Sequence, residues 1–241
     1  MQTTKQSTFR ILNYADLGLV DFAQAWELQK QLFEKRSKNE INDTLLLVEH
    51  PHTYTLGKGA DKKNIIANKK FLQEKGISVF EIDRGGDVTY HGPGQVVGYL
   101  IFNLAEWEKD VHKFLRAIEE VIIKTCSVFG VKAAREEKYT GVWVGENKIC
   151  AIGLKVTNWI SMHGFALNVS TDLEFFKGII PCGIRGKGVT SLEVETNRKI
   201  EVDAEKKSVL KYFTEVFDYK EIRQIEIALP NSALGKQSFE F

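Results

Sequence analysis

Between Thr140 and Val169 the sequence places strands one after another with almost nothing between them. Thr140–Val156 reads as a hairpin turning at Gly145-Glu146-Asn147, and Trp159–Val169 continues as another strand. Connections this short join antiparallel neighbours, because a parallel return needs a crossover of about a dozen residues or more. Thr44–Glu49, Ile77–Asp83 and Val96–Leu104 also have strand character, and a turn-rich loop, His50–Ala60, carries Pro51, Gly57 and Gly59. Helices are fewer. Asp21 and Gln24 form a capping pair for a helix running to about Arg36, and a short one runs from Asn68 to Gly76. Asp110–Phe129 carries an apolar stripe (Val111, Phe114, Leu115, Ile118, Val121, Ile122, Phe129) that Gly130 stops. Thr171–Lys177 is a helical turn and Asp203–Phe217 an amphipathic helix. The expected fold class is α+β, a mixed, largely antiparallel central sheet flanked by helices. Residues 1–241 are expected to form a single domain, with the last forty as a small helical and strand appendage.

Composition narrows the function classes. Lys+Arg 33 against Asp+Glu 32 gives no basic excess for nucleic acid. No run of eighteen apolar residues exists, and Met1–Arg10 lacks the apolar stretch of a secretory signal. No membrane association is therefore expected. The three cysteines, Cys126, Cys150 and Cys182, are odd in number and widely spaced, which suits neither a disulfide framework nor a metal knuckle. A reducing, cytoplasmic setting with free thiols and no metal is the expectation.

Two features invite chemistry. Arg84–Gln95, R-G-G-D-V-T-Y-H-G-P-G-Q, holds four glycines and a proline in twelve residues. Glycine permits positive φ and close backbone approach to a ligand. A tight loop without a ligand would use the same residues, but Arg84, Tyr90 and His91 favour a binding wall. It is not a nucleotide fingerprint, since neither GxGxxG nor GxxxxGK[ST] is present. The second feature is Cys182, set in Pro181-Cys182-Gly183 among further glycines at 178, 186 and 188. Small neighbours leave a sulfur open to a carbonyl carbon, whereas Cys126 on its helix and Cys150 within its strand read as core. A thiol needs a nearby cation to become a thiolate at neutral pH. His50, His52, His91, His112, His163 and Lys148 are the candidates, and spacing does not choose among them.

Five segments together resemble the lipoyl(octanoyl) transferase family: E-H-P-H-T-Y-T-L-G at Glu49–Gly57, the glycine-rich Arg84–Gln95, G-V-W-V…K-I-C-A-I-G at Gly141–Gly153, H-G-F-A-L-N at His163–Asn168, and P-C-G-I at Pro181–Ile184. They stand in the family's order over roughly residues 45 to 192. The resemblance implies the fold of lipoate and biotin protein ligases. It places the catalytic nucleophile at Cys182 and its partner lysine at Lys148. It puts acyl-group contacts at Arg84, Gly85, Gly86, Asp87, Val88, Thr89, Tyr90 and His91, at Ala151, Ile152 and Gly153, and at Gly164, Phe165 and Ala166. His91 and His163 become pocket-shaping groups. Cys150 departs from the family, where a small residue such as alanine is commoner. Strand alternation turns it the same way as Lys148, making it a rival thiol.

The resemblance implies an acyltransferase with no cofactor. Octanoyl-acyl carrier protein is the donor, and the acceptors are lysines of lipoyl domains in 2-oxoacid dehydrogenase complexes and of the glycine cleavage H protein. The acyl group passes through a Cys182 thioester. The competing readings are an ATP-dependent lipoate–protein ligase on the same fold and a non-catalytic binder of carrier domains.

Overall fold

The computed structural model describes residues 9–180 and 187–231. Short polar side chains start most of the helices. Asp21 caps α1 (Phe22–Ser37) by accepting the Ala23 N–H. Gln24, expected to complete that cap, instead donates to the Pro230 carbonyl. Asn68 caps α2 (Lys69–Glu74) and Asp110 caps α3 (Val111–Val128). Gly130 closes α3 at φ 77°. Ser191 caps α4 (Leu192–Thr196), and α5 spans Val202–Phe217.

Twelve strands accompany them among the described residues: β1 (Ile11–Leu19), β2 (Asp43–Glu49), β3 (Thr53–Leu56), β4 (Ser78–Glu81), β5 (Val88–His91), β6 (Gln95–Ile101), β7 (Ala134–Arg135), β8 (Val142–Val144), β9 (Asn147–Thr157), β10 (Ile160–Asn168), β11 (Gly188–Val189) and β12 (Glu221–Gln224). Nine form the main sheet, ordered β12-β1-β2-β6-β10-β9-β8-β7 with β11 against β9. The run from β2 to β7 is antiparallel, while β12, β1 and β2 lie parallel, as do β11 and β9. The expected mixed, largely antiparallel sheet is therefore observed. A second sheet, β4-β3-β5, stands apart.

The main sheet is covered on both faces, which explains the unbroken apolar run of β2. Leu45 and Leu47 join Phe114 and Ile118 of α3 and Val209 and Phe213 of α5. Leu46 and Val48 join Ala25, Leu28 and Leu32 of α1. The small sheet buries Tyr54, Leu56, Val88 and Tyr90 against Phe175 and Phe176 of the helical turn Leu173–Gly178. No helix among the described residues is long and apolar enough to cross a membrane.

Three expectations need correction. The loop His50–Ala60 contains β3, and the glycine-rich segment contains β5, each a four-residue strand too short to outweigh the turn residues around it. The C-terminal region is not an appendage. Phe213 and Phe217 enter the main core, and β12 extends the main sheet beside β1.

Candidate active site

A cavity of about 720 Å³ is lined by residues of both sheets. Its floor is a patch of small side chains set by strand register. Ala151 pairs with Ala166 and Gly153 with Gly164, while Val97 and Tyr99 of β6 stand opposite Ala166 and Gly164. A Cβ on Gly164 would lie 2.0 Å from the Gly98 carbonyl oxygen, so only glycine lets β10 and β6 meet there. The segment from Arg84 to Thr89 roofs this floor. The Gly85 N–H donates to the Leu154 carbonyl (2.8 Å), pinning the roof to the outer edge of β9.

Arg84, Gly85, Gly86, Asp87, Val88, Thr89, His91, Ala151, Ile152, Gly153, Gly164, Phe165 and Ala166 all line the cavity, together with Lys148. Tyr90 is not on its wall. Alternation along β5 turns Tyr90 into the small-sheet core, stacked on Phe175 (5.2 Å between centroids) with its hydroxyl on His52 Nδ1 (2.8 Å). Cys182 lies outside the described residues. The strand that follows it, β11, pairs Val189 with Lys148, and the Thr190 N–H donates to the Lys148 carbonyl (3.0 Å).

Lys148 is 7% exposed, and its Nζ sits 4.8 Å from the centre of the Trp143 ring. The Lys187 ammonium lies 4.9 Å from the same ring and is held by Glu136 (3.1 Å) and Glu146 (3.0 Å). Indole faces attract cations, so Trp143 fixes where these ammonium groups rest. Cys150 is fully buried in the main core with Cys126, and burial drives its thiol well above the ordinary range. A thiol in that state is a poor nucleophile, so Cys150 is no rival.

The histidines shape the wall as neutral groups. Gln95 Nε2 donates to the Tyr90 carbonyl and to Asn168 Oδ1, leaving Gln95 Oε1 to accept His91 Nδ1–H (2.9 Å). His91 Nε2 then faces the Thr55 hydroxyl (3.4 Å), which also accepts from Arg84 Nη2 (2.9 Å). Burial pushes the His91 imidazole down to about 3. His50, also fully buried, donates to the Val20 carbonyl and accepts the Tyr99 hydroxyl (2.6 Å), which fixes that ring in the floor. His163 sits in the left-handed region, φ 62°, and its Nε2–H bonds Asp83 (2.8 Å). Burial lowers His163, while that hydrogen bond and Lys155 (2.6 Å) hold the Asp83 carboxyl well below the usual range. Asp83, Tyr99, Thr55 and Phe22 had not been singled out from sequence. Asp83 carries a signal in its place directly before Arg84, and Thr55 in its place within the Glu49–Gly57 segment. Among the described residues no three His, Cys, Asp or Glu side chains gather to hold a metal.

The fold is that of the lipoate–protein ligases. A bipartite lipoate protein ligase from Thermoplasma acidophilum superposes with a TM-score of 0.70 over 90% of this chain and 88% of its own, at 14% identity. Residues 21–214 match the family described as lipoyl protein ligase A/B catalytic domain. The octanoyltransferase of Flavobacterium johnsoniae is 47% identical over 84% of this chain and 95% of its own length. That of Caldicellulosiruptor saccharolyticus is 50% identical over 87% and 90%. The chain belongs to the lipoyl protein ligase A/B catalytic domain family, among its lipoyl(octanoyl) transferases. It is an acyltransferase with a role in octanoyl or lipoyl transfer for protein lipoylation.

Proposed function

We propose that the chain moves an octanoyl group from acyl carrier protein to a lysine of a lipoyl domain through a thioester on Cys182. The observation that carries this reading is Lys148, a buried ammonium at one cavity with a small-residue floor, paired through β11 with the chain that follows Cys182. The archaeal ligase of the same fold works with an E2 lipoyl domain, which supports a lipoyl domain as acceptor here.

Chemically, the Cys182 thiolate attacks the donor thioester carbonyl, the carbon–sulfur bond to the carrier breaks, and the departing carrier sulfur takes a proton from Lys148. The acceptor amine then attacks the acyl-enzyme, the bond to Cys182 breaks, and the amine's proton returns through Lys148. The thioester is already activated and the amide product is more stable, so no nucleotide is required. The floor of Ala151, Gly153, Gly164 and Ala166 holds the acyl chain beneath the roof from Arg84 to Thr89. The whole chain, residues 1–241, acts as one catalytic domain.

Incubation with octanoyl-acyl carrier protein should add one octanoyl mass, mapped to Cys182 and absent from Cys182→Ala, without ATP. An adduct at Cys150, or equal product from free octanoate with ATP and magnesium, would refute the reading. The floor gives a second expectation. Ala166→Val narrows it, so octanoyl transfer should fall about ten- to a hundredfold relative to butyryl transfer, the scale of a misfitting methylene or two. Competition between the two acyl donors measures this ratio, and an unchanged ratio would take Ala166 off the acyl path.

A further inference from the structure

The lysines of this chain are unevenly placed. Residues 58–75 carry six of them, Lys58, Lys62, Lys63, Lys69, Lys70 and Lys75, against Asp61 and Glu74, in a chain of formal net charge +1. All six are exposed. Lys62 pairs with Glu81 and Lys70 weakly with Glu74 (3.8 Å), whereas Lys58, Lys63 and Lys69 have no ion pair among the described residues. An ordinary solvated face balances both signs, whereas this segment carries six lysines against two carboxylates.

The segment is seated firmly on the catalytic roof. The Lys58 N–H donates to the Arg84 carbonyl (2.9 Å), and the Gly59 N–H to that of Gly86 (3.1 Å). Asn64 donates to the Asp87 carboxylate (2.6 Å). The Ile66 and Ala67 N–H groups share the Gly178 carbonyl (3.0 and 2.9 Å). In the middle of the basic run Ile66 is 59% exposed, at the edge of a recess of about 400 Å³ walled by Phe71, Phe175, Lys75 and Lys177, with Asp172 and with Glu174, which Lys177 pairs (2.7 Å), also on its wall. An apolar centre in a surround with a net excess of lysines is the make-up of a docking surface for an acidic protein.

We propose that residues 58–75 dock the acidic carrier that delivers the acyl thioester, with Ile66 at the centre of the contact. This rests on the octanoyl-transfer reading above. The position argues for the donor over the acceptor. An acceptor lysine reaches only as far as its own side chain, so its domain must sit over the cavity mouth. A carrier presents its thioester on a long flexible arm and can be held to one side. Gly59 touches the cavity, while the recess at Ile66 shares no wall residue with it. The basic run therefore meets the cavity wall only at Gly59 and leaves the rest of that wall to other segments.

The test is the affinity of the full chain for holo-acyl carrier protein, by fluorescence titration, which does not depend on turnover. Reversing three charges (Lys63→Glu, Lys69→Glu, Lys70→Glu) should weaken binding at least about tenfold at low salt and remove most of its salt dependence. Ile66→Ser should weaken it several-fold. Transfer from octanoyl-pantetheine, which carries no protein, should be unchanged in both variants, as should the KM for the lipoyl-domain acceptor. Equal carrier affinity in wild type and the triple variant would overturn the proposal. So would a parallel fall with octanoyl-pantetheine, or a rise confined to the acceptor's KM. If wild type binds the carrier with this charge dependence yet transfers nothing, the octanoyl-transfer reading fails and the docking surface stands.

Discussion

Replacing Lys148 with alanine should lower octanoyl transfer by roughly a hundredfold or more, the range of a lost acid–base group. Lys148 is 7% exposed and rests on the face of Trp143, with Lys187 on the same ring but tied to Glu136 and Glu146. On the proposed reading its first service is charge: an ammonium beside the Cys182 sulfur would favour thiolate over thiol. Losing it should slow iodoacetamide alkylation of Cys182 at neutral pH by about ten- to a thousandfold, as a nearby opposite charge is lost. On the same reading its second service is the proton itself. Lys148→Arg keeps the charge but cannot release a proton at working pH. Alkylation should therefore recover in part while transfer to the acceptor lysine stays slow. An alkylation–pH profile unchanged in Lys148→Ala would remove Lys148 from the reaction, since Cys182→Ala supplies the background for both assays.

The second large effect is on stability and involves no active-site group. Glu205 of α5 is fully buried, and neither carboxyl oxygen has a hydrogen-bond partner. On the facing helix α3, Cys126 and Thr125 are buried too, the Thr125 hydroxyl likewise without a partner. Burial pushes the Glu205 carboxyl up to about 8. Unfolded, a glutamate ionises near 4.3, so between these values the folded state holds a proton that the unfolded state has lost. Folding stability therefore falls as pH rises across that window, and the loss is complete above the folded value. At about 1.4 kcal/mol per unit the total is on the order of 4–5 kcal/mol. Glu205→Gln cannot titrate and should hold its stability above pH 8, where wild type weakens. Glu205→Leu should exceed both, because a buried apolar side chain carries no unpaired polar atom. Urea unfolding at pH 5.5 and 8.5 checks this, and wild type and Glu205→Gln losing stability equally over that interval would count against it.

Sequence reading succeeded where local rules act alone and failed where two segments meet. The Asp21 cap, the helix starts at Asn68 and Asp110 and the stripe of α3 were legible because capping and helical periodicity are local. The turn before β10 was legible as a short connection, but its second residue, Trp159, reads as strand. Asn158 and Trp159 both take positive φ (51° and 66°), as a two-residue hairpin requires, yet Asn-Trp carries none of the usual glycine signal. β3 and β5 escaped because each is four residues long, buried, and flanked by proline or glycine, so neither alternation nor length marked them.

The sequence alone determined the class of sheet, the three longest helices, the family and the stretches expected to wall the acyl group, because helical periodicity, motif spacing and short connections are properties of the chain. Tertiary structure decided what those stretches face. It set Ala151 and Gly153 of β9 against Ala166 and Gly164 of β10, a matter of register between strands. It turned Tyr90 out of the cavity by the pleat of β5, and it buried Cys150 so that its thiol cannot compete. It also brought Asp83 to His163, eighty residues on, and Tyr99 to His50. Burial and long-range hydrogen bonding fix protonation and orientation, and neither exists until distant segments pack.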